Sequence, residues 1–380
     1  MNSIITIANY IRQNASESYK ARVGKFNKDS KIDELANPLM TYDVTMNEFA
    51  TGLMNMIGET ILNRISHFDN PLAKFKTATK GLGIDTREIA RGVAKAEKFE
   101  FTTEGIAKMF GIYTPDIAEC FHRLNRREYY PITFSRAELK LALNSWEDLD
   151  TFVNDVVVPL YEGNYLDEYE YSIELIRASL NADNIKKIDI TESTDLYADY
   201  VIAVKDIVKS FRFKDLTNSV YGKTKVDAGK TTNIIPLCNP EDACLLIDYK
   251  LKNRIKVKEL ATAFNRDELS FDASVTEVDQ LGFIKDDTDK EHVKYYKVLG
   301  VVCDKNWLRI MDDPDNEVLS NNLPTARAFN SYLHVWQTYS TSPFKCVNAI
   351  IQEVEETDVP DHYFDNLIGR TTEVIENPGD

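Results

Sequence analysis

The segment that decides the fold runs from Ser145 to Leu180 and reads SWEDLDTFVNDVVVPLYEGNYLDEYEYSIELIRASL. Ser145 before Trp146-Glu147-Asp148 predicts a helix start, because a serine hydroxyl accepts a hydrogen bond from a free backbone N–H of the first turn. Two apolar stripes with helical spacing follow: Leu149, Phe152, Val153, Val156, Val157 and Leu160, then Leu166, Tyr169, Ile173, Ile176 and Leu180. Pro159 lies between them and displaces a backbone hydrogen bond. We therefore expect two collinear or kinked helices.

The sequence before this segment divides into an irregular part and a helical part. Residues 1–45 are polar and are interrupted by Asn37-Pro38, which predicts an extended arm with at most one short helix. From Met46 to Ile65, apolar side chains keep the spacing of a single helical stripe. The sequence predicts an amphipathic helix there.

Residues 70–134 have the least globular composition. Five glycines punctuate this segment, and short strand-like pieces at Lys98–Phe101 and Phe110–Tyr113 alternate with charges. A two-stranded ribbon is marginal in water and needs a surface to lie on. We expect a long β-hairpin that reaches away from its own subunit onto a neighbour.

After residue 185 the pattern becomes mixed α/β. Short apolar runs predict strands, and periodic stretches predict helices. The predicted strands are Lys186–Ile190, Ala243–Tyr249, Ser274–Val278, Val298–Cys303, Trp307–Met311, Tyr332–Tyr339 and Cys346–Ile351, and the predicted helices are Tyr197–Lys209 and Lys256–Phe264.

Composition restricts the class of protein. The 380 residues are 43% apolar and 28% charged, as in ordinary globular domains. No apolar run is long enough to cross a bilayer, and the first residues do not predict a signal peptide. Five cysteines without CxxC spacing argue against a zinc site or a disulfide framework.

The charge is large and unevenly distributed. A net charge of −16 disfavours binding of nucleic acid by the chain as a whole, since phosphate contacts need clustered Lys and Arg. Cations gather in the first third, whereas the segment from Glu353 onward is strongly acidic. The pattern fits either a solvated surface or attraction between a basic arm and an acidic neighbour.

Two kinds of motif resemble ligand-binding sites but lack residues that those sites require. Gly222-Lys223-Thr224 and Gly229-Lys230-Thr231 look like the end of a phosphate-binding loop, but the glycine required five positions earlier is Thr217 or Thr224. We expect a flexible surface loop there. The acidic runs 286–289 and 312–317 lack the central Gly and final Glu of a calcium loop, and the second predicts a β-turn. The sequence predicts no catalytic residue, no cofactor and no metal site.

Five motifs in fixed order carry a resemblance. They are Asn70–Lys76 (NPLAKFK), Phe121–Tyr130 (FHRLNRREYY), Trp146 with Leu166–Tyr171 (LDEYEY), Leu260–Asn265 (LATAFN) and His334–Thr338 (HVWQT). Together they resemble the major capsid protein of phi29-like short-tailed bacteriophages, which has a Hong Kong 97-type shell fold of the α+β class. The resemblance implies an N-terminal arm and helix (1–69), an extended loop (70–134), a peripheral domain with a long spine helix (135–193), an axial domain (194–331), return strands of the peripheral domain (332–352) and an acidic C-terminal tail (353–380).

The resemblance also implies a structural role and not an enzymatic one. The chain would self-assemble through pentamers and hexamers into an icosahedral or prolate head that encloses double-stranded DNA, held on the inner face without sequence specificity. Its partners would be copies of itself, a portal or connector protein and a scaffolding protein, with no membrane. It would reside in the virion, and in the host cytoplasm before assembly. The contacts between subunits are predicted to involve Lys74, Lys76, Lys80, Arg123, Arg126 and Arg127.

Two other classes of function stay open from the residues. A connector or scaffold would also be a phage assembly protein, but would form small rings or be more helical and charged. An intracellular enzyme with a phosphorylated substrate would use Lys223, Lys230 and the acidic run at Asp312.

Overall fold

The computed structural model describes residues 2–60, 70–78, 85–96, 112–182, 184–262, 273–286, 292–313, 318–323, 325–361, 363–364 and 373–376. Its helices are α1 (Asn2–Asn14), α2 (Glu17–Arg22), α3 (Asp33–Thr41), α4 (Asp43–Thr60), α5 (Arg136–Ala142), α6 (Trp146–Ala182), α7 (Leu196–Ser210), α8 (Val220–Asp227) and α9 (Tyr249–Thr262). Its strands are β1 (Lys76–Ala78), β2 (Asp85–Arg91), β3 (Ile117–Arg123), β4 (Arg126–Ser135), β5 (Lys186–Asp189), β6 (Ala243–Asp248), β7 (Ser274–Val278), β8 (Phe283–Asp286), β9 (Lys294–Asp304), β10 (Leu308–Asp312), β11 (Val318–Leu323), β12 (Ala328–Thr341), β13 (Val347–Val354) and β14 (Glu373–Glu376).

Helix α6 is the longest element and joins two hydrophobic cores. Its predicted start is confirmed, since the Ser145 hydroxyl accepts a hydrogen bond from the Asp148 backbone N–H at 3.0 Å. The helix does not end at Pro159 but continues as one element of 37 residues. Its first half contributes Leu149 and Val153 to one core, and its second half contributes Ile173 and other residues to another. This burial offsets the hydrogen bond lost at the proline.

A five-stranded sheet has β12 at its centre. Strand β4 pairs antiparallel with most of β12, from Ala328↔Ser135 to Gln337↔Arg126. On its other side β12 pairs with β11 at one end and with β10 at the other, and β1 joins parallel to β10. Both ends of the segment 70–134 therefore lie in this sheet.

A six-stranded sheet, with order β5-β13-β9-β6-β7 and β8 on β9, forms the second body. The strands predicted between 186 and 311 and the helix Tyr197–Lys209 are confirmed within a few residues, whereas the helix predicted at Lys256–Phe264 begins seven residues earlier, at Tyr249, and residues 263–264 lie outside the described residues. The two predicted return strands lie in different sheets, because β12 belongs to the five-stranded sheet and β13 pairs with β5 and β9. One face of the six-stranded sheet packs on the second half of α6 and the other packs on α7.

The expectation of an irregular N-terminal arm is wrong. Residues 2–60 form α1 to α4, and Pro38 lies inside α3. Ile4, Ile11, Leu35 and Phe49 are buried in one core with Leu149 of α6 and with residues of β4 and β12. Full burial of one such side chain contributes about 1.5–3 kcal/mol, so this region is part of the folded body. The predicted amphipathic helix is confirmed up to Thr60, and residues 61–65 lie outside the described residues.

Strands β2 and β3 form an antiparallel ribbon, here called the ribbon, within the predicted hairpin segment. They pair from Asp85↔Arg123 to Arg91↔Ile117, and β14 adds a third strand to β3. Residues 98–101 and 110–111 of the predicted strand pieces lie outside the described residues, and Ile112 and Tyr113 form no strand. Ala118 and Cys120 of the ribbon are buried against Ile234 and Phe344. The described part of the ribbon therefore lies on its own subunit, contrary to the expectation that the whole hairpin reaches away.

Helix length and composition bear on membranes. Among the described residues, no helix is long and apolar enough to span a bilayer.

Candidate functional site: a buried charge network at the base of the ribbon

Four of the sequence motifs meet at one place in the fold. Lys76 begins β1, Arg126 begins β4, Glu168 lies on α6, and Gln337 lies on β12 directly opposite Arg126. The chain leaves the five-stranded sheet after β1 and returns to it at β4, so these residues surround the base of the ribbon. We call this group the base network.

Arg126 is the centre of the base network. Its side chain is only 2% exposed. Nε donates to Glu128 Oε2 at 2.8 Å, Nη1 donates to Gln337 Oε1 at 2.5 Å, and Nη2 donates to the Tyr130 hydroxyl. The Tyr171 ring lies 4.8 Å from the guanidinium carbon. The planar fork of arginine satisfies several acceptors at once, which lysine cannot do.

Glu168 links the network to α6. Its side chain is 3% exposed, and its Oε2 accepts from Lys76 Nζ at 2.8 Å and from Gln337 Nε2 at 3.0 Å. Lys76 Nζ also lies 3.0 Å from Asp312 Oδ2 at the end of β10. A buried charge is tolerated only when it is paired and hydrogen-bonded. Four strands and α6 are therefore held in one arrangement.

Electrostatics keep these groups charged. Burial alone would lower the pKa of Lys76, but the charges of Glu168 and Asp312 and their hydrogen bonds outweigh it and raise the pKa. For Glu128, burial would raise the pKa, whereas hydrogen bonds from Tyr171 and Arg126 lower it. The network holds cations and carboxylates in fixed positions.

A second polar cluster fixes the ribbon to the body. His122 of β3 is buried, with Nδ1 at 2.7 Å from Ser340 Oγ and Nε2 at 3.0 Å from Glu88 Oε2. Arg309 Nη2 donates to Glu88 Oε1 at 3.1 Å. Both ribbon strands are thus bonded to β10 and β12 through one carboxylate and one imidazole, here called the ribbon clamp.

The sequence of this chain is similar to a known family of phage proteins over most of its length. A family model described as the phi29-like phage major capsid protein matches residues 8–351. This chain belongs to that family. It is 29% identical over 361 residues to the major capsid protein of Bacillus phage B103, covering 93% of this chain and 73% of that protein. It is 28% identical over 344 residues to that of Bacillus phage PZA, covering 90% of this chain and 71% of that protein.

Solved structures agree on the fold. A chain in the capsid structure of Staphylococcus phage Andhra has a TM-score of 0.57 at 12% identity, covering 78% of this capsid protein and 87% of that chain. The mixed α+β architecture is therefore that of phage capsid proteins. The family is structural, which argues against an enzymatic role.

The six cations predicted to contact other subunits fall into three groups. Lys76 and Arg126 bond within the subunit, in the base network. Lys74, Arg123 and Arg127 are exposed, with Arg123 Nε 3.8 Å from Asp85 Oδ2 and Arg127 over the Trp336 ring. Lys80 lies outside the described residues. Each residue of the base network lies in one of the sequence motifs. The sequence alone does not indicate that these residues bond to each other.

Of the two candidate phosphate-binding motifs, the first lies in a helix and not in a loop, whereas Gly229-Lys230-Thr231 lies in an exposed loop after that helix. Gly222-Lys223-Thr224 lies in α8, and Lys223 Nζ donates to Asp227 Oδ2 and Asn184 Oδ1, both at 2.8 Å. Of the acidic runs, residues 287–289 and 314–317 lie outside the described residues. In the part of the chain that is described, no cluster of three or more His, Cys, Asp or Glu is placed to hold a metal ion.

The ribbon clamp makes a pH-dependent contribution to stability. Burial would raise the pKa of Glu88, but the hydrogen bond from His122 and the charge of Arg309 outweigh it and lower the pKa to about 2. An unfolded glutamate titrates near ~4.3, so the contribution is fully present above about pH 5 and is lost as pH falls towards 2. We expect Glu88→Gln to lower the free energy of unfolding by about 2–3 kcal/mol at pH 7 and by much less near pH 2.

Urea unfolding of the soluble subunit at several pH values measures this difference. Glu119→Gln is the matched control, because Glu119 pairs with Arg87 on the exposed side of the same ribbon. Parallel stability curves for wild type and Glu88→Gln across this pH range would contradict the prediction.

Proposed function

We propose that this major capsid protein closes into the head shell of a short-tailed phage by holding the base of an extended loop rigid on its own subunit while the end of that loop overlaps a neighbour. The observation that carries the proposal is the base network. It binds the strand that leads into the loop and the strand that leaves it to α6, with Lys76 and Arg126 both paired to buried partners. A loop fixed at its base transmits force between subunits without unfolding its own sheet.

The proposed division of the chain follows the sheets. The N-terminal region takes in residues 1–69, whose described part is helical, and the extended loop takes in residues 70–134, with β1 near its start and β4 at its end. The peripheral domain comprises α5, α6 and the five-stranded sheet, where β10 and β11 pair with β12. The axial domain comprises the six-stranded sheet, including β13, and residues 353–380 form the acidic tail. This division moves β10, β11 and the first residues of β12 out of the axial domain and moves β5 and β13 into it, because of their pairing.

Exposed cations near the ribbon are candidates for contact with neighbours. Lys74, Arg123 and Arg127 reach solvent at the loop base, and Lys80 lies in the same segment. Ile112, 93% exposed, and Tyr113, 62% exposed, add apolar surface beside the ribbon. Cations around an apolar surface fit the anatomy of a protein interface with an acidic rim on the partner.

The remaining partners follow from a head that holds DNA. The net charge of −16 suits an inner wall on which packed double-stranded DNA slides without sequence-specific binding. A portal or connector protein and a scaffolding protein would complete the head, and unassembled subunits would remain in the host cytoplasm. Reversal of inner-wall acids to lysine should impair DNA filling, and unchanged filling would contradict this part of the proposal.

Electron microscopy of the chain expressed with and without its neighbouring phage genes tests the proposal. We expect closed shells from the wild-type chain, and we expect replacement of residues 97–111 by a glycine-serine linker to abolish them. The variant subunit should keep the melting temperature of the wild type, because both bonded clusters lie outside the replaced segment. Closed shells of normal yield from the variant would show that the loop end is not needed for closure.

A further inference from the structure

A basic and apolar surface lies at one end of the six-stranded sheet. The ten residues 205–214 carry four cations and one acid in a chain of net charge −16. Lys209, Arg212 and Lys214 are exposed, and within the described residues none of the three forms an ion pair. This surface is here called the basic corner.

Exposed apolar side chains belong to the same corner. Phe213 is 68% exposed and Leu237 is 56% exposed. The two segments are adjacent, because the backbone N–H of Cys238 donates to the Phe211 carbonyl at 3.0 Å. Large apolar side chains beside cations are typical of protein interfaces. Duplex DNA presents mainly phosphates and sugars at its outer surface, whereas a protein surface offers acidic and apolar groups side by side, so Phe213 and Leu237 beside the cations favour an acidic protein surface as the partner.

An acidic segment of opposite character lies at the other end of the same sheet. Residues 355–361 contain four acids and no cation. Glu355, Asp358 and Asp361 are exposed, and in the described part of the chain no cation pairs with them. Glu356 accepts a hydrogen bond from the Tyr295 hydroxyl at 2.9 Å, which fixes the segment to the start of β9.

The two surfaces are separated by the length of β9. The acidic segment adjoins Tyr295 near the first residue of β9. The basic corner adjoins the last residue, Asp304, through Cys346 and Cys238. With 11 residues in β9 and about 3.3 Å of rise per residue, the surfaces are roughly 33 Å apart. They cannot meet within one subunit.

We propose that the basic corner of one copy binds the acidic segment of the next copy, head to tail, and so drives ring formation within the shell. Complementary surfaces at opposite ends of one sheet make a heterologous contact, and such contacts generate rings when the rotation closes. The proposal rests on the self-assembly of this capsid protein. It adds the two surfaces through which adjacent copies in a ring contact each other.

Charge reversal tests the proposal. The double variant Arg212→Glu/Lys214→Glu places acid against acid, and we expect the yield of closed shells to fall by about tenfold or more, since like charges at an interface repel. Asp358→Lys/Asp361→Lys should fall by a similar factor. The quadruple variant restores opposite charges and should return the yield to within about twofold of wild type. Lys25→Glu/Lys28→Glu, at exposed positions in the N-terminal region, applies the same change of charge as a control.

The outcomes separate the contact from the assembly role. Restoration by the quadruple variant, with melting temperatures of all soluble variants unchanged, supports the head-to-tail contact. Normal shells from either double variant would overturn the head-to-tail contact, whether DNA filling is intact or impaired. Normal shells with impaired DNA filling for Arg212→Glu/Lys214→Glu would mean that the basic corner binds the packaged DNA. Failure of the quadruple variant beside normal wild-type shells would overturn the pairing of these two surfaces. Absence of shells from the wild type would count against the assembly role itself.

Discussion

Arg126→Ala is expected to lower the free energy of unfolding by about 3 kcal/mol, the upper end of the range for hydrogen bonds that involve a charged group, because the guanidinium is buried and bonds to several acceptors. The substitution removes donors to Glu128, Gln337 and Tyr130, and the buried Gln337 Oε1 then keeps the Tyr339 hydroxyl as a donor. Chemical unfolding of the soluble subunit, followed by circular dichroism, measures the change. The same variant should give few closed shells, because the loop base loses its connection to the sheet.

The neighbouring residue provides the control. Arg127→Ala removes an exposed guanidinium that lies 5.4 Å from the centre of the Trp336 ring, and contacts of this kind are worth about 0.5–1 kcal/mol at exposed positions. Arg126→Lys keeps the charge but loses the planar fork, so it should fall between wild type and alanine. Equal losses for the alanine variants at 126 and 127 would mean that the base network does not support the fold.

The two arginines also show where sequence reasoning stops. The sequence predicts contacts with other subunits for Arg123, Arg126 and Arg127 alike. In the structure, Arg126 points into the subunit and Arg127 stays exposed, because successive residues of β4 face opposite sides of the sheet. The alternation of side chains along a strand can be predicted from the sequence. The strand that pairs with β4 cannot, since Gln337 is 211 residues away from Arg126 along the chain.

Local patterns predicted elements well where one face is buried. The helix start at Ser145 and the strand Ser274–Val278 agree with the structure. Ile4, Ile7 and Ile11 have the spacing of a helix, but Asn37-Pro38 is a sequence that usually interrupts one. In the structure Pro38 lies inside a helix, so this signal does not indicate an extended arm. Continuation of α6 through Pro159 depends on packing at both of its ends, which no local rule contains.

Gly222→Ala is expected to lower the free energy of unfolding by about 3 kcal/mol or more, above the usual range for added volume in a packed site. A Cβ at this position would lie 2.1 Å from the carbonyl oxygen of Leu216. The preceding one-turn helix, Leu216–Asn218, therefore has to move. That turn is bonded to the second sheet, since Asn348 Nδ2 donates to Asn218 Oδ1 at 3.0 Å.

The sequence predicts a flexible surface loop around Gly222, whereas in the structure this glycine lies in a helix and allows close packing. The Ser219 hydroxyl accepts from the Gly222 N–H at 3.1 Å and starts α8, so the glycine lies in the first turn under the preceding chain. Gly24→Ala is the control, since its added Cβ meets nothing within 4 Å. We expect thermal melting to separate the two variants by several degrees or more. Equal melting temperatures would mean that the turn at Leu216 adjusts freely, and the attachment of α8 to the sheet through Asn218 would then contribute little to stability.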